Sequence, residues 1–226
     1  MSVTTASRPA SSSARDRIRL RDQLVFAAAA ASFGLLTIAV RLSWTPLMRA
    51  DASIAGRLNA VVHAHPALVS VLSGISALGG ATVLTAMVAL CAILLSARHQ
   101  YRLAAYVAAT SLGAVVLDPT LKALVGRLRP VVEHPVAHGG GNSFPSGHAL
   151  DSLICYGAVV LALLPALGRR HRWILTGLAG SVVFLIGVSR VMLGVHFISD
   201  VLGGWSLGIA WLGLTVFAFE LRRHYA

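Results

Sequence analysis

A histidine and an aspartate four positions apart, His196 and Asp200, share the otherwise apolar stretch from Ser189 to Asp200 with Arg190. On a helix, residues four apart lie on one face. A carboxylate beside an imidazole selects its tautomer and stabilises its cationic form. The arginine adds a planar fork matched to phosphate oxygens. Two further polar clusters accompany this one: Lys122 followed by Arg129-Pro130, and Pro145-Ser146-Gly147-His148. Together the three clusters supply two imidazoles, three cations, a hydroxyl and a glycine turn. Such a set can move a phosphoryl group without a metal.

The elements that must position these residues are apolar. The chain has 226 residues, 56% hydrophobic and only 12% charged, with a mean hydropathy of +0.76. Soluble domains carry about 25% charged residues, so the composition points to a polytopic membrane protein of one domain. Residues 1–22, rich in Ser, Ala and Arg, read as a disordered basic tail. The remainder, 23–226, reads as the membrane domain. The apolar run from Leu24 to Val40 is long and lacks a clear cleavage site, so it reads as an uncleaved first span rather than a signal peptide. Ile54, Leu58 and Val61/Val62 recur at helical spacing and suggest a short interfacial helix over 51–65.

Pro66 to Ala97 is too long for one straight span of about 20 residues. Gly79-Gly80 is a natural break, giving a short helix at 67–78 and a span at 81–97. Further spans fall at 101–124, 147–166, 172–193 and 197–220, six in all, and the Pro- and Gly-containing segment 126–145 is irregular. The predicted fold is all-α, a bundle of six transmembrane helices. Cys91 and Cys155 sit in apolar runs and read as buried reduced thiols.

The net charge of +11 is a topology signal rather than a nucleic-acid footprint. With the N-terminus inside, twelve of the nineteen Lys and Arg residues fall on cytoplasmic segments, including Arg98, Arg102, Arg169, Arg170 and Arg172. The same topology gathers Lys122, Ser146 to His148 and Arg190 to Asp200 at the outer ends of their spans. The expected location is a bacterial plasma membrane, both termini cytoplasmic, the site facing outward.

Lys122-x6-Arg129-Pro130, Pro145-Ser-Gly-His148 and Ser189-Arg-x5-His196-x3-Asp200 resemble, in order and in spacing, the three signature motifs of the type 2 phosphatidic acid phosphatase family. That family also includes vanadium-dependent haloperoxidases. The resemblance implies metal-independent hydrolysis of a lipid phosphate monoester or pyrophosphate, of undecaprenyl pyrophosphate or phosphatidate type, with no cofactor. It implies that His196 is the nucleophile forming a phosphohistidine, that Asp200 orients it, and that His148 is the general acid and then the base. Lys122, Arg129, Ser146, Gly147 and Arg190 would bind the phosphate. The bland alternatives are a helix-junction His–Asp pair, a simple Ser146 cap and snorkelling cations.

Three rival readings accompany this one, and several polar residues stand outside the motifs. A haloperoxidase-like enzyme would be soluble. A non-catalytic lipid-binding or transport protein would lack the nucleophile, and a sugar-phosphate phosphatase would differ only in substrate. Asp118 is placed to pair with Lys122, and Asp151 to pair within the bundle or to raise the proton affinity of His148. Arg127 assists phosphate binding or sits at the rim. Glu133, His134 and His138 lie in the loop, where they could touch a headgroup, and their spacing carries no metal signature. The expected partners are the bilayer and a lipid substrate; the oligomeric state is not encoded in any visible pattern.

Overall fold

The computed structural model describes residues 12–219. Eight α-helices follow one another: α1 Ser12–Arg41, α2 Thr45–His63, α3 Pro66–Ala77, α4 Ala81–Ala97, α5 Tyr101–Val125, α6 Gly147–Leu163, α7 Arg169–Met192 and α8 Ile198–Ala218. Among the described residues, six helical segments are long and apolar enough to cross a membrane: Leu20–Arg41, Pro66–Ala97, Tyr101–Val125, Gly147–Ala166, Arg169–Met192 and Ile198–Ala218. The chain is an integral membrane protein with an all-α fold.

The break at Gly79-Gly80 falls where expected, between α3 and α4. Two boundaries differ from expectation. The irregular tail does not extend to residue 22, because α1 begins at Ser12. Ala14, Arg15, Arg17 and Arg19 are good helix formers, and extending an existing helix costs far less than nucleating one. Residues 1–11 of the expected tail, and Arg222 and Arg223, lie outside the described residues. Helix α2 starts at Thr45, with Pro46 in its first turn, where the missing N–H is no loss. Its buried stripe is Asp51, Ala55, Asn59 and Val62, displaced from the Ile54/Leu58 stripe read from apolar spacing. Two polar side chains thus face inward.

Helix α6 is central, packed on α4, α5, α7 and α8, while α1 lies along α8. Tyr106, Val107, Ala158 and Leu212 form part of a core shared by α5, α6 and α8. Leu35, Leu90, Ile93, Val115, Leu178 and Phe217 point outward from the bundle, as apolar side chains facing lipid do. In lipid the hydrophobic effect does not drive helices together, so close approach over small residues takes its place. Gly204 on α8 is such a position: a Cβ there would stand 2.8 Å from the Ser146 carbonyl oxygen and 3.1 Å from the Leu150 nitrogen.

Candidate active site

The ends of α5, α6, α7 and α8 that carry the three polar clusters meet at one end of the bundle. The irregular segment 126–146 closes over them. It leaves α5 through Gly126, left-handed at φ 69°, whose N–H bonds the Lys122 carbonyl. Asn142 Nδ2 donates to the same carbonyl at 2.8 Å. The loop ends in a cis Phe144–Pro145 peptide, then Ser146, whose N–H donates to the Asp200 carbonyl at 3.0 Å. That bond ties the second cluster to the third.

His196 sits in the turn between α7 and α8 and is 2% exposed. Asp200, fully buried, is the third residue of α8, where a carboxylate is favoured by the free N–H groups and the helix dipole. Its Oδ2 accepts the Phe197 N–H at 2.8 Å and the Ser143 hydroxyl. Its Oδ1 accepts Arg127 Nη1 at 2.6 Å. His196 Nδ1 lies 3.4 Å from Oδ2, close to the carboxylate but without a formed hydrogen bond.

The other ring nitrogen decides the tautomer. Arg129 Nη1 lies 3.1 Å from His196 Nε2 and 2.7 Å from the Val195 carbonyl. A guanidinium only donates, so Nε2 accepts and the neutral ring carries its proton on Nδ1, toward Asp200. Burial holds this imidazole below the usual histidine range; Asp200 offsets part of that, while Arg129 and Arg190 add to it. The ring is therefore neutral near pH 7, with a lone pair on Nε2 turned to a cation.

Arg129 and Arg190 are the cations within electrostatic range of this ring. His148 is within electrostatic range of Arg190, His196, Lys122 and Arg129. Lys122 Nζ is held by Asp118 Oδ2 at 2.8 Å, the pairing anticipated from their spacing. Arg190 Nη1 donates to Ser76 Oγ on α3 at 2.7 Å, while its Nε is buried without a partner. Ser146 occupies the N-cap position of α6 without making a side-chain cap; its Oγ is also buried and unpartnered. Each such group costs about 1–3 kcal/mol if it stays unsatisfied. Phosphate oxygens are suitable acceptors for both. Gly147 is required by its surroundings, since a Cβ would stand 2.9 Å from both Asp118 carboxylate oxygens.

All eight residues singled out from the sequence thus come together. The remaining polar residues take other places. Arg127 turns away from the cations, toward Asp200, Ser199 and Asp51. His134 stacks on His63 with ring centroids 4.1 Å apart, and its backbone is bonded on both sides by Asn59. Asp151 Oδ1 is buried without a partner, and its charged neighbours are Asp118 and Lys122. Asp51, Ser76, Ser143 and Ser199 escaped the sequence reading. Only the inward position of Asp51, four residues before the small Ala55 on α2, could have signalled it.

Comparison with known proteins gives a consistent result. The sequence profile of the PAP2 superfamily matches residues 100–223. Phosphatidylglycerophosphatase B of Bacillus subtilis strain 168 is 41% identical over 97 residues, 42% of this chain and 47% of that protein. An undecaprenyl-diphosphatase of Sulfolobus acidocaldarius is 36% identical over 108 residues, 44% of this chain and 46% of that protein. The matched part is thus about half the length of each of these relatives. The crystal structure of a transmembrane PAP2-type phosphatidylglycerolphosphate phosphatase from Bacillus subtilis superimposes with a TM-score of 0.78 at 29% identity. That match covers 87% of this chain and 96% of the other.

Proposed function

The chain belongs to the PAP2 superfamily, and from that premise we propose that it is a membrane phosphatase that hydrolyses a phosphate monoester or pyrophosphate of a lipid. The observation that carries this reading is the state of His196. Its Nε2 faces the donor Arg129 Nη1 at 3.1 Å, and Ser146 Oγ and Arg190 Nε are buried without partners. A phosphate bound by Lys122, Arg129, Arg190, Ser146 and the first N–H groups of α6 would present its phosphorus to that lone pair.

In the first step Nε2 attacks phosphorus and the bond to the leaving oxygen breaks. His148 donates a proton to that oxygen. The product is a phosphohistidine whose positive ring faces Asp200. In the second step His148 takes a proton from water, the oxygen attacks phosphorus, and the P–N bond breaks to release inorganic phosphate and neutral His196. The three cations offset the extra negative charge of the five-coordinate state in both steps.

Two features favour a lipid substrate. The site lies at the ends of membrane spans, at headgroup level, and the relatives above are named for phosphatidylglycerophosphate and undecaprenyl diphosphate. We place the site on the outer side of the membrane, because Arg98, Arg169, Arg170 and Arg172 lie at the opposite end of the bundle. Labelling a single cysteine at fully exposed Val131 with a membrane-impermeant maleimide on intact cells tests this; protection until lysis would reverse the orientation.

The activity test measures phosphate release from purified protein in mixed micelles containing EDTA. The substrates are phosphatidate, phosphatidylglycerol phosphate, undecaprenyl pyrophosphate and a soluble sugar phosphate. Release from a lipid that disappears in His196→Ala is expected. Release from the sugar phosphate alone, or undiminished release by His196→Ala, would refute the proposal.

A further inference from the structure

Arg127 lies two residues from the phosphate-cradle Arg129, yet its side chain serves another purpose. Nη1 donates to Asp200 Oδ1 and to Ser199 Oγ, both at 2.6 Å, and Nη2 donates to Asp51 Oδ2 at 2.7 Å. The guanidinium carbon stands 4.2 Å from the Phe197 ring centroid. The Arg127 side chain is 7% exposed and both carboxylates are 0% exposed. Asp51 also accepts the Ser199 N–H at 3.1 Å and the Ser199 hydroxyl. The N-terminus of α8 therefore receives two carboxylates, its own Asp200 and Asp51 from α2, bridged by one guanidinium.

We infer that Arg127 and Asp51 are positioning residues that hold Asp200, and through it His196, in the reactive geometry, with α2 as the strut that sets it. The inference rests on the proposed roles of His196 and Asp200. Every acceptor oxygen of Asp200 has an assigned donor, and Arg127 is the only charged one at Oδ1 among the described contacts. Without it the carboxylate could rotate away from Nδ1, which sits at 3.4 Å with no hydrogen bond to restrain it.

The charges point the same way. Asp51, Arg127 and Asp200 sum to one negative charge, which the positive ring of a phosphohistidine would neutralise. Loss of Asp51 leaves the trio neutral and removes that stabilisation. Loss of Arg127 leaves two buried carboxylates uncompensated, a strongly destabilising arrangement. Helix α2 also fixes the same loop at a second point, through Asn59 and the His134 backbone. That second anchor keeps the loop carrying Arg129 in place when the Asp51–Arg127 contact is lost.

The test uses 15N-histidine-labelled full-length protein in detergent micelles, with the His196 signals assigned from a His196→Gln spectrum. The variants are Asp51→Asn, Arg127→Lys, Arg127→Met and the Asp51→Asn/Arg127→Met pair. In the wild type His196 is expected as a single tautomer protonated on Nδ1. Asp51→Asn and Arg127→Met should give mixed tautomers. They should also lower kcat roughly 10- to 100-fold, the scale of a small misplacement of a reacting group, with KM within about twofold, because the phosphate cradle is untouched.

Arg127→Lys should recover part of the loss. The double variant should be more thermostable than Arg127→Met, because it removes the unpaired charge, yet no more active. A wild-type tautomer in both single variants, with kcat and stability falling together, would reduce Arg127 and Asp51 to structural residues and overturn the inference. Asp51→Asn, which preserves shape, carries the test even if Arg127→Met does not fold. The spectrum requires no turnover. A wild-type protein that hydrolysed no substrate would overturn the proposed phosphatase, while the tautomer would still decide the positioning role.

Discussion

Replacing Asp200 with Asn changes one atom and removes one charge, and the structure sets the size of the effect. Oδ1 faces Arg127 Nη1 at 2.6 Å; Oδ2 faces the Phe197 N–H at 2.8 Å and the Ser143 hydroxyl. Whichever oxygen becomes an amide nitrogen, a donor then meets a donor. A buried group left unsatisfied in this way costs about 1–3 kcal/mol, so the melting temperature in detergent should fall measurably while the protein still folds. The catalytic loss is larger. At 3.4 Å from Nδ1 and an effective dielectric of about 20, a full charge pair is worth about 5 kcal/mol. Arg127 already neutralises part of Asp200, so the share felt by a positive His196 ring is smaller. At roughly 1.4 kcal/mol per tenfold, kcat should drop on the order of 10³-fold. Stopped-flow phosphate release on the best lipid substrate, with folding checked by circular dichroism and gel filtration, measures it. A folded Asp200→Asn protein retaining kcat within about tenfold of wild type would refute the role given to this carboxylate.

Three further outcomes are expected. His148→Ala should lower kcat/KM, which reports the first step alone, by roughly 10²- to 10⁴-fold on a lipid and much less on p-nitrophenyl phosphate, whose phenolate leaves without a proton; equal losses in kcat/KM on both would exclude His148 as the general acid. Because burial keeps the His196 pKa low, its nucleophilic neutral form persists as pH falls through the ordinary histidine value of about 6.5. Corrected for substrate ionisation, the acid-side decline of kcat/KM should begin only below that value; an acid-side limb at or above it would contradict the neutral buried ring. Gly204→Ala, whose Cβ would stand 2.8 Å from the Ser146 carbonyl oxygen, should destabilise the fold by about 1–3 kcal/mol through overpacking. An unchanged melting temperature would show that α6 and α8 can separate at no cost.

Much of this protein was legible before its folding was considered. Apolar runs of span length were readable because a helix in lipid must satisfy its backbone internally, leaving a continuous signal. The break at Gly79-Gly80 was visible for the same reason, as an interruption in that signal. Lys122, Arg129, Ser146, Gly147, His148, Arg190, His196 and Asp200 were recognisable because their types and spacings form three local motifs, each at a span end. The matching PAP2 superfamily profile covers those same positions. Helix α1 was misjudged at its start, since a basic polar sequence with helix formers extends a helix that an apolar segment has already nucleated.

The tertiary structure alone decided what the remaining polar residues do. Arg127 and Arg129 are nearly adjacent in an irregular loop, where no periodicity ties a side chain's direction to its position. One reaches His196 Nε2 and the other grips Asp200. Asp51 read as a polar residue of an interfacial helix, because apolar spacing assigns the buried face by hydrophobicity. That rule cannot identify a carboxylate buried against a guanidinium from another element. Gly147 reads from its motif as a phosphate-binding position, and its nearest constraint is Asp118, the carboxylate that holds Lys122. Chemical capability and local period are properties of the chain's own order. The direction of a loop side chain and the partner of a buried charge depend on segments tens of residues away, and only the packed helices bring those together.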